Sequence, residues 1–186
     1  GTQTVTVTLS KASTETITVN YATDATDSTP SFNEVNISTN ADGAYEVFAG
    51  DLDGDGDIDI ISASADDDTI AWYENDGAAN PTFTAADIAT NADGARDVYL
   101  ADIDSDGDLD IVSASYSDGK IAWYENNGAS NPTFTSTTIT TSAPGASGIH
   151  LADIDSDGDL DIVSASASDD TIAWYENNGA ADPSFT

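Results

Sequence analysis

In 186 residues the chain carries 35 acidic side chains against three basic ones, and a formal charge of −32 repels phosphate backbones and anionic lipid headgroups, which excludes nucleic acid and membranes as partners. It holds no cysteine, so disulfides and thiolate metal sites are excluded, and no apolar run approaches the roughly 18 residues of a membrane span. The acids are clustered and the segments between them are apolar and β-branched, so the chain reads as a folded all-β protein and not as a disordered polyanion.

Residues 1–29 differ in character from the rest of the chain. Val5-Thr6-Val7-Thr8-Leu9 and Thr16-Ile17-Thr18-Val19-Asn20-Tyr21 both alternate apolar and polar residues, as half-buried strands do. The polar stretch 10–15 between them reads as a turn, and 24–30 as a linker, which predicts an N-terminal β-hairpin and linker over 1–29. A two-stranded hairpin is marginal in water, so this one is expected to pair with a sheet of its own chain or with the open edge of another.

From residue 34 the sequence repeats strictly, in units 34–84, 85–135 and 136–186 of 51 residues each. Each unit has an apolar segment (Tyr45 to Gly50 in the first), then an acidic loop at 51–59, 102–110 or 153–161, and then an apolar run such as Ile60-Ile61-Ser62-Ala63-Ser64. A polar turn leads to Ile-Ala-Trp-Tyr-Glu-Asn at 70–75, 121–126 and 172–177. A Gly/Asn/Pro loop, a Pro-x-Phe step and another alternating strand, such as 86–90, complete the unit. About four short strands per repeat of this length, with no helical period, fit the blade of a β-propeller. The fold expected is three four-stranded propeller-type blades preceded by a hairpin.

The residues at 101–115, Ala-Asp-Ile-Asp-Ser-Asp-Gly-Asp-Leu-Asp-Ile-Val-Ser-Ala-Ser, followed by Ile-Ala-Trp-Tyr-Glu-Asn-Asn-Gly at 121–128, resemble the FG-GAP/VCBS repeat. That family includes the blades of integrin α-chain propellers and many bacterial extracellular proteins. The resemblance covers 34–186 and implies that each acidic loop joins the first and second strands of a blade. In number the chain departs from the pattern: propellers close with roughly four to eight blades, and three are supplied here. A longer array, closure by several chains and an open arc all remain compatible with that count. The N-terminal hairpin resembles the closing part of a Calx-beta domain.

Carboxylates on alternate positions with glycine at the sixth are what a hard cation requires of a tight loop. In each loop the first, third, fifth and ninth residues are assigned as side-chain ligands: Asp51, Asp53, Asp55 and Asp59; Asp102, Asp104, Asp106 and Asp110; Asp153, Asp155, Asp157 and Asp161. The seventh residue (Asp57, Asp108, Asp159) is assigned as a backbone-carbonyl ligand, giving three Ca2+ sites, one per repeat. Gly56, Gly107 and Gly158 permit the sharp bend. An EF-hand is excluded because its twelfth position needs a bidentate Glu, and Ser62, Ser113 and Ser164 stand there. The aspartate at the ninth position closes the coordination instead, as the resemblance implies. Magnesium suits the loop less, since it keeps waters and demands octahedral geometry. Three divalent ions would reduce −32 only to −26, so the loaded chain stays strongly anionic.

No nucleophile–base constellation can be assembled, so the chain is not expected to be an enzyme. His150, the one histidine, has no sister for a relay or a metal site. Trp72, Trp123 and Trp174 are expected to pack between adjacent blades, the alternative being a sugar-stacking row. Gly1 at the start and the absence of Met suit a processed product whose leader has been removed, and calcium loops suit a calcium-rich exterior. The expectation is a secreted, calcium-binding structural or adhesive protein that self-associates, as a homo-oligomer or polymer, through open sheet edges and the hairpin. A carbohydrate-binding module, or a non-catalytic scaffold in a polysaccharide-active protein, is the alternative. An extracellular protein or a glycan would then be the ligand.

Overall fold

The computed structural model describes residues 34–186; the hairpin and linker expected over 1–29, with their Calx-beta resemblance, lie outside the described residues. Each repeat folds as a meander of antiparallel strands. The first sheet has β1 (Ala44–Gly50), β2 (Asp59–Ser64), β3 (Thr69–Asn75) and β4 (Phe83–Ala89) in the order β1-β2-β3-β4. The second has β5 (Ala95–Ala101), β6 (Asp110–Ser115), β7 (Lys120–Asn126) and β8 (Phe134–Thr140) in the same order. The third has three strands, β9 (Ala146–Ala152), β10 (Asp161–Ser166) and β11 (Thr171–Tyr175), followed by a bridge between Asn177 and Phe185. That bridge occupies the repeat position at which Asn75 pairs with Phe83 and Asn126 with Phe134, where β4 and β8 begin. There is no helix among the described residues, and no sheet closes into a barrel. A periodic sequence can be cut at any phase; the hydrogen bonds cut it after β4 and β8, so the strand following each Pro-x-Phe step completes the sheet that precedes it.

The strand sequences explain why the sheets stack face to face. In β2 the larger Ile61 alternates with small Ser62 and Ser64, and the strand is buried along nearly its whole length, as a central strand covered on both faces must be. The serines admit the neighbouring tyrosines: Ser62, Ser113 and Ser164 hydroxyls meet Tyr73, Tyr124 and Tyr175 hydroxyls at 3.4 Å. The polar turn between the second and third strands of each sheet needs a left-handed residue. Asp68, Gly119 and Asp170 supply it with φ of 57°, 64° and 59°, a conformation that aspartate and glycine accept more readily than other residues.

Among the described residues the core consists of two layers, each lying between consecutive sheets. Ile61, Ile70 and Trp72 of the first sheet pack with Val98, Ile111 and Tyr124 of the second. One repeat further on, Val112, Ile121 and Trp123 pack with Ile149, Leu151 and Ile162 of the third. Every sheet therefore has a face for its predecessor and a face for its successor, and the alternation of side chains along each strand assigns residues to one or the other. Phe48, Tyr99 and His150 follow one another across the three first strands, with ring centroids 4.6 Å and 5.5 Å apart. His150 is thus the exposed last member of an aromatic row.

Candidate metal centre

Each acidic loop runs from the end of a sheet's first strand to the start of its second, so its two ends are held by adjacent, paired strands. The bend is made by glycine at the sixth position, where φ is 97°, 103° and 104° in Gly56, Gly107 and Gly158. A Cβ at any of the three would meet no atom within 4 Å, so glycine is required there by torsion and not by crowding.

The first, third and fifth aspartates each spend one carboxylate oxygen on the loop's own backbone. Asp51 Oδ2 accepts the Gly56 N–H at 3.0 Å, Asp53 Oδ1 that of Asp55 at 3.2 Å, and Asp55 Oδ1 that of Asp57 at 2.9 Å. The second loop repeats these bonds with Asp102, Asp104 and Asp106, and so does the third with Asp153, Asp155 and Asp157, where Asp153 Oδ1 also accepts the Asp157 N–H at 3.1 Å. In every loop the three side chains bring one oxygen each to within 4.8 Å of the others. Asp51 Oδ1 and Asp102 Oδ1 are moreover buried and accept no hydrogen bond. A buried carboxylate oxygen without a partner is costly, and three carboxylates converging without a base repel one another. The ion pair among the described residues, Lys120 with Asp118 at 3.4 Å, lies outside the loops. The donors are all hard oxygens, a set that fits calcium. Asp51, Asp53 and Asp55, with their counterparts in the other two repeats, are the side chains that would hold the ion.

The remaining two aspartates of each loop are placed differently. Asp57, Asp108 and Asp159, at the seventh position, turn their carboxylates against Gly77, Gly128 and Gly179, where a Cβ would overlap them. Asp59, Asp110 and Asp161, at the ninth, are buried and lie outside the converging group of three. Both oxygens of each are taken by backbone. Oδ2 accepts the N–H of Leu52, Ile103 or Ile154 at 3.1, 3.2 and 3.0 Å, and Oδ1 that of Asn75, Asn126 or Asn177 at 2.8, 2.8 and 2.9 Å. The ninth aspartate thus braces the loop's entrance to the end of the third strand. Burial pushes Asp110 up to about 7 against the lowering pull of the Asn126 and Ile103 N–H groups; the Trp123 indole N–H lowers it as well, though it makes no hydrogen bond of ordinary geometry. Desolvation first, and then neighbouring carboxylates, hold Asp53 and Asp104 above the usual carboxylate range, and a bound cation acts in the opposite sense.

Three asparagines carry a part that the loop motif does not announce. Asn75 Nδ2 donates to the Ile58 carbonyl at 2.9 Å, within its own loop. Asn126 Nδ2 donates both to Leu109 of its own loop, at 3.0 Å, and to Leu52 of the preceding one, at 2.8 Å. Asn177 does the same with Leu160 and Ile103, both at 3.1 Å. The sequence signal was the recurrence of Asn-x-Gly at the same place in every repeat. The loop of one sheet is in this way fastened to the next sheet. The third loop has no following sheet among the described residues, and its Asp153, Asp155 and Asp157 are all exposed. A sugar-stacking tryptophan row needs three open rings, and Trp72 and Trp123 are buried between sheets.

The family model of the FG-GAP-like repeat matches the chain twice, over residues 51–113 and 102–164. Each match begins at the first aspartate of one loop and reaches the second strand of the next sheet, so the matched unit spans an inter-sheet junction. Comparison with curated proteins finds no match.

Proposed function

The chain belongs to the FG-GAP-like repeat family, and from that premise we propose that it is an extracellular calcium-binding structural or adhesive module, with one ion clasping each acidic loop. The observation that carries the reading is the buried Oδ1 of Asp51 and of Asp102, each unpaired amid converging carboxylates. A divalent cation would satisfy these oxygens and relieve the repulsion, and it would stabilise the fold because it binds the formed loop and not the unfolded chain. Since the first two loops are hydrogen-bonded to the following sheet, ions seated there would stiffen the stack as well as the loops. Secretion belongs to the same reading: an exterior rich in calcium keeps such loops loaded. No helix among the described residues is long and apolar enough to cross a membrane. No catalytic step enters the proposal. Self-association, giving a homo-oligomer, completes it.

Calorimetric titration of the metal-free chain with Ca2+, paired with thermal melts with and without EDTA, tests the reading. Saturable binding of three ions per chain, and a melt lowered by many degrees in EDTA, are expected. A melt unchanged by EDTA would remove the proposal.

A further inference from the structure

The outer faces of the first and third sheets display the same side-chain positions that the two internal interfaces bury. On the face a sheet turns to its predecessor, Val98 is 1% exposed and Ile149 is buried, but Val47, their counterpart in β1, is 58% exposed. Ala49, where Leu100 and Leu151 are buried, is also exposed, together with Ile58. On the face turned to a successor, Ile121 and Trp123 are 0% and 1% exposed, whereas Ile172 and Trp174 are 73% and 45% exposed. Ile154, in the place of the buried Leu52 and Ile103, is exposed too. The two ends of the stack are therefore the two halves of one interface type, which the chain already builds twice within itself.

Apolar patches accept many partners, but polar register selects among them. Each internal junction has an asparagine Nδ2 reaching the carbonyl of the second loop residue of the preceding sheet, Asn126 to Leu52 and Asn177 to Ile103. Each also has a backbone bond into the preceding sheet's polar turn: Ala92 N–H to the Asp68 carbonyl at 2.9 Å, and Ala143 N–H to the Gly119 carbonyl at 3.0 Å. The donors of a further copy of this pair are Asn75 Nδ2 and Ala41 N–H, at the first sheet. The acceptors are the carbonyls of Ile154 and Asp170, at the third. Among the described residues neither cross-sheet bond is made at the ends.

We propose that two copies of this chain associate head to tail, the outer face of the third sheet of one seated on the outer face of the first sheet of the other. Ile154, Ile172 and Trp174 pack against Val47, Ala49 and Ile58 of the second copy, and Asn75 Nδ2 donates to the Ile154 carbonyl across the contact. A head-to-tail contact gives a ring when its rotation closes and a filament when it does not. Propeller rings hold roughly four to eight blades. The described residues of one copy supply three sheets, so two copies bring six, within that range, and two identical contacts close the pair. The contacting side chains are uncharged while the chain as a whole carries −32, so added salt favours the pair by screening the repulsion between copies. The proposal rests on the reading of the chain as a structural repeat module.

Light scattering coupled to size exclusion, on the full chain in Ca2+, is expected to give twice 19.1 kDa. Val47→Glu and Ile172→Glu each alter an exposed position, so each should keep the wild-type circular dichroism spectrum and run as a monomer. Mixed in equal amounts they should form a 1:1 dimer, because one unaltered contact remains between them. A wild-type monomer, a dimer that survives both substitutions, or variants that do not recombine would overturn the inference, as would a monomer whose end faces take up a glycan or an unrelated protein instead. Calcium titration of the same samples separates the two readings. Ion binding in a chain that stays monomeric sinks the pairing alone, and a dimer that binds no calcium sinks the functional reading alone.

Discussion

Asp110 and Asp106 stand four residues apart in the same loop, and the structure gives them opposite duties. Asp106 is exposed, accepts the Asp108 N–H where water can replace it and offers an oxygen to the converging group, whereas Asp110 is buried and accepts two backbone N–H groups. Truncating Asp110 leaves the N–H groups of Ile103 and Asn126 without an acceptor, at about 1–3 kcal/mol for each where water cannot replace it. Urea unfolding in EDTA should therefore show Asp110→Ala destabilised by several kcal/mol on that scale. Asp106→Ala should lie within about 0.5 kcal/mol of wild type, as exposed substitutions do, and should lose calcium affinity. Equal destabilisation of the two in EDTA would refute this division of labour.

The sheets show the same contrast between internal and terminal positions. Ile121 of β7 and Ile172 of β11 occupy one repeat position, and a following sheet covers the first and not the second. Ile121→Ala removes fully buried methyl groups and leaves a cavity in the layer it shares with Ile149 and Leu151, at a cost of about 2–5 kcal/mol. At protein concentrations dilute enough to keep the chain monomeric, Ile172→Ala should cost no more than about 0.5 kcal/mol. Denaturation curves of the two variants decide the matter, and a large loss at Ile172 in dilute monomer would mean that residues of the same chain cover that face.

For the whole molecule, charge decides how stability responds to pH. Asp110 sits at about 7 in the folded chain against a reference of 3.8, and burial likewise raises Asp97, whose carboxylate accepts the Ile149 N–H across the second junction at 2.7 Å. A folded-state value above the unfolded one means that the folded chain holds more protons between the two. Its stability is fully present below about pH 4 and is lost as pH rises toward 7. The formal charge of −32 works in the same direction, since ionising the acids adds self-repulsion. The melting temperature of the metal-free protein should thus fall between pH 4 and pH 7. Saturating Ca2+ should reverse the trend, because the ion takes up the ionised carboxylates. A metal-free melt that rises over this window would contradict the assignment.

The local sequence was sufficient to read the 51-residue period, the all-β character, the loop between the first two strands, and the first, third and fifth aspartates that converge in each repeat. These features rest on the two-residue alternation of strands and on spacings within nine residues, which short-range geometry dictates. Other features depended on the tertiary structure. The ninth aspartate is occupied by two backbone N–H groups, one of them 16 residues away, and Asn126 and Asn177 reach carbonyls 74 residues away. Tertiary structure also separated Val47, Ile172 and Trp174 from their buried repeat equivalents, although sequence alone makes these positions look alike. Identical repeats carry identical patterns, but burial depends on which neighbour stands beside each sheet, and only stacking in space makes the ends of an array different from its middle.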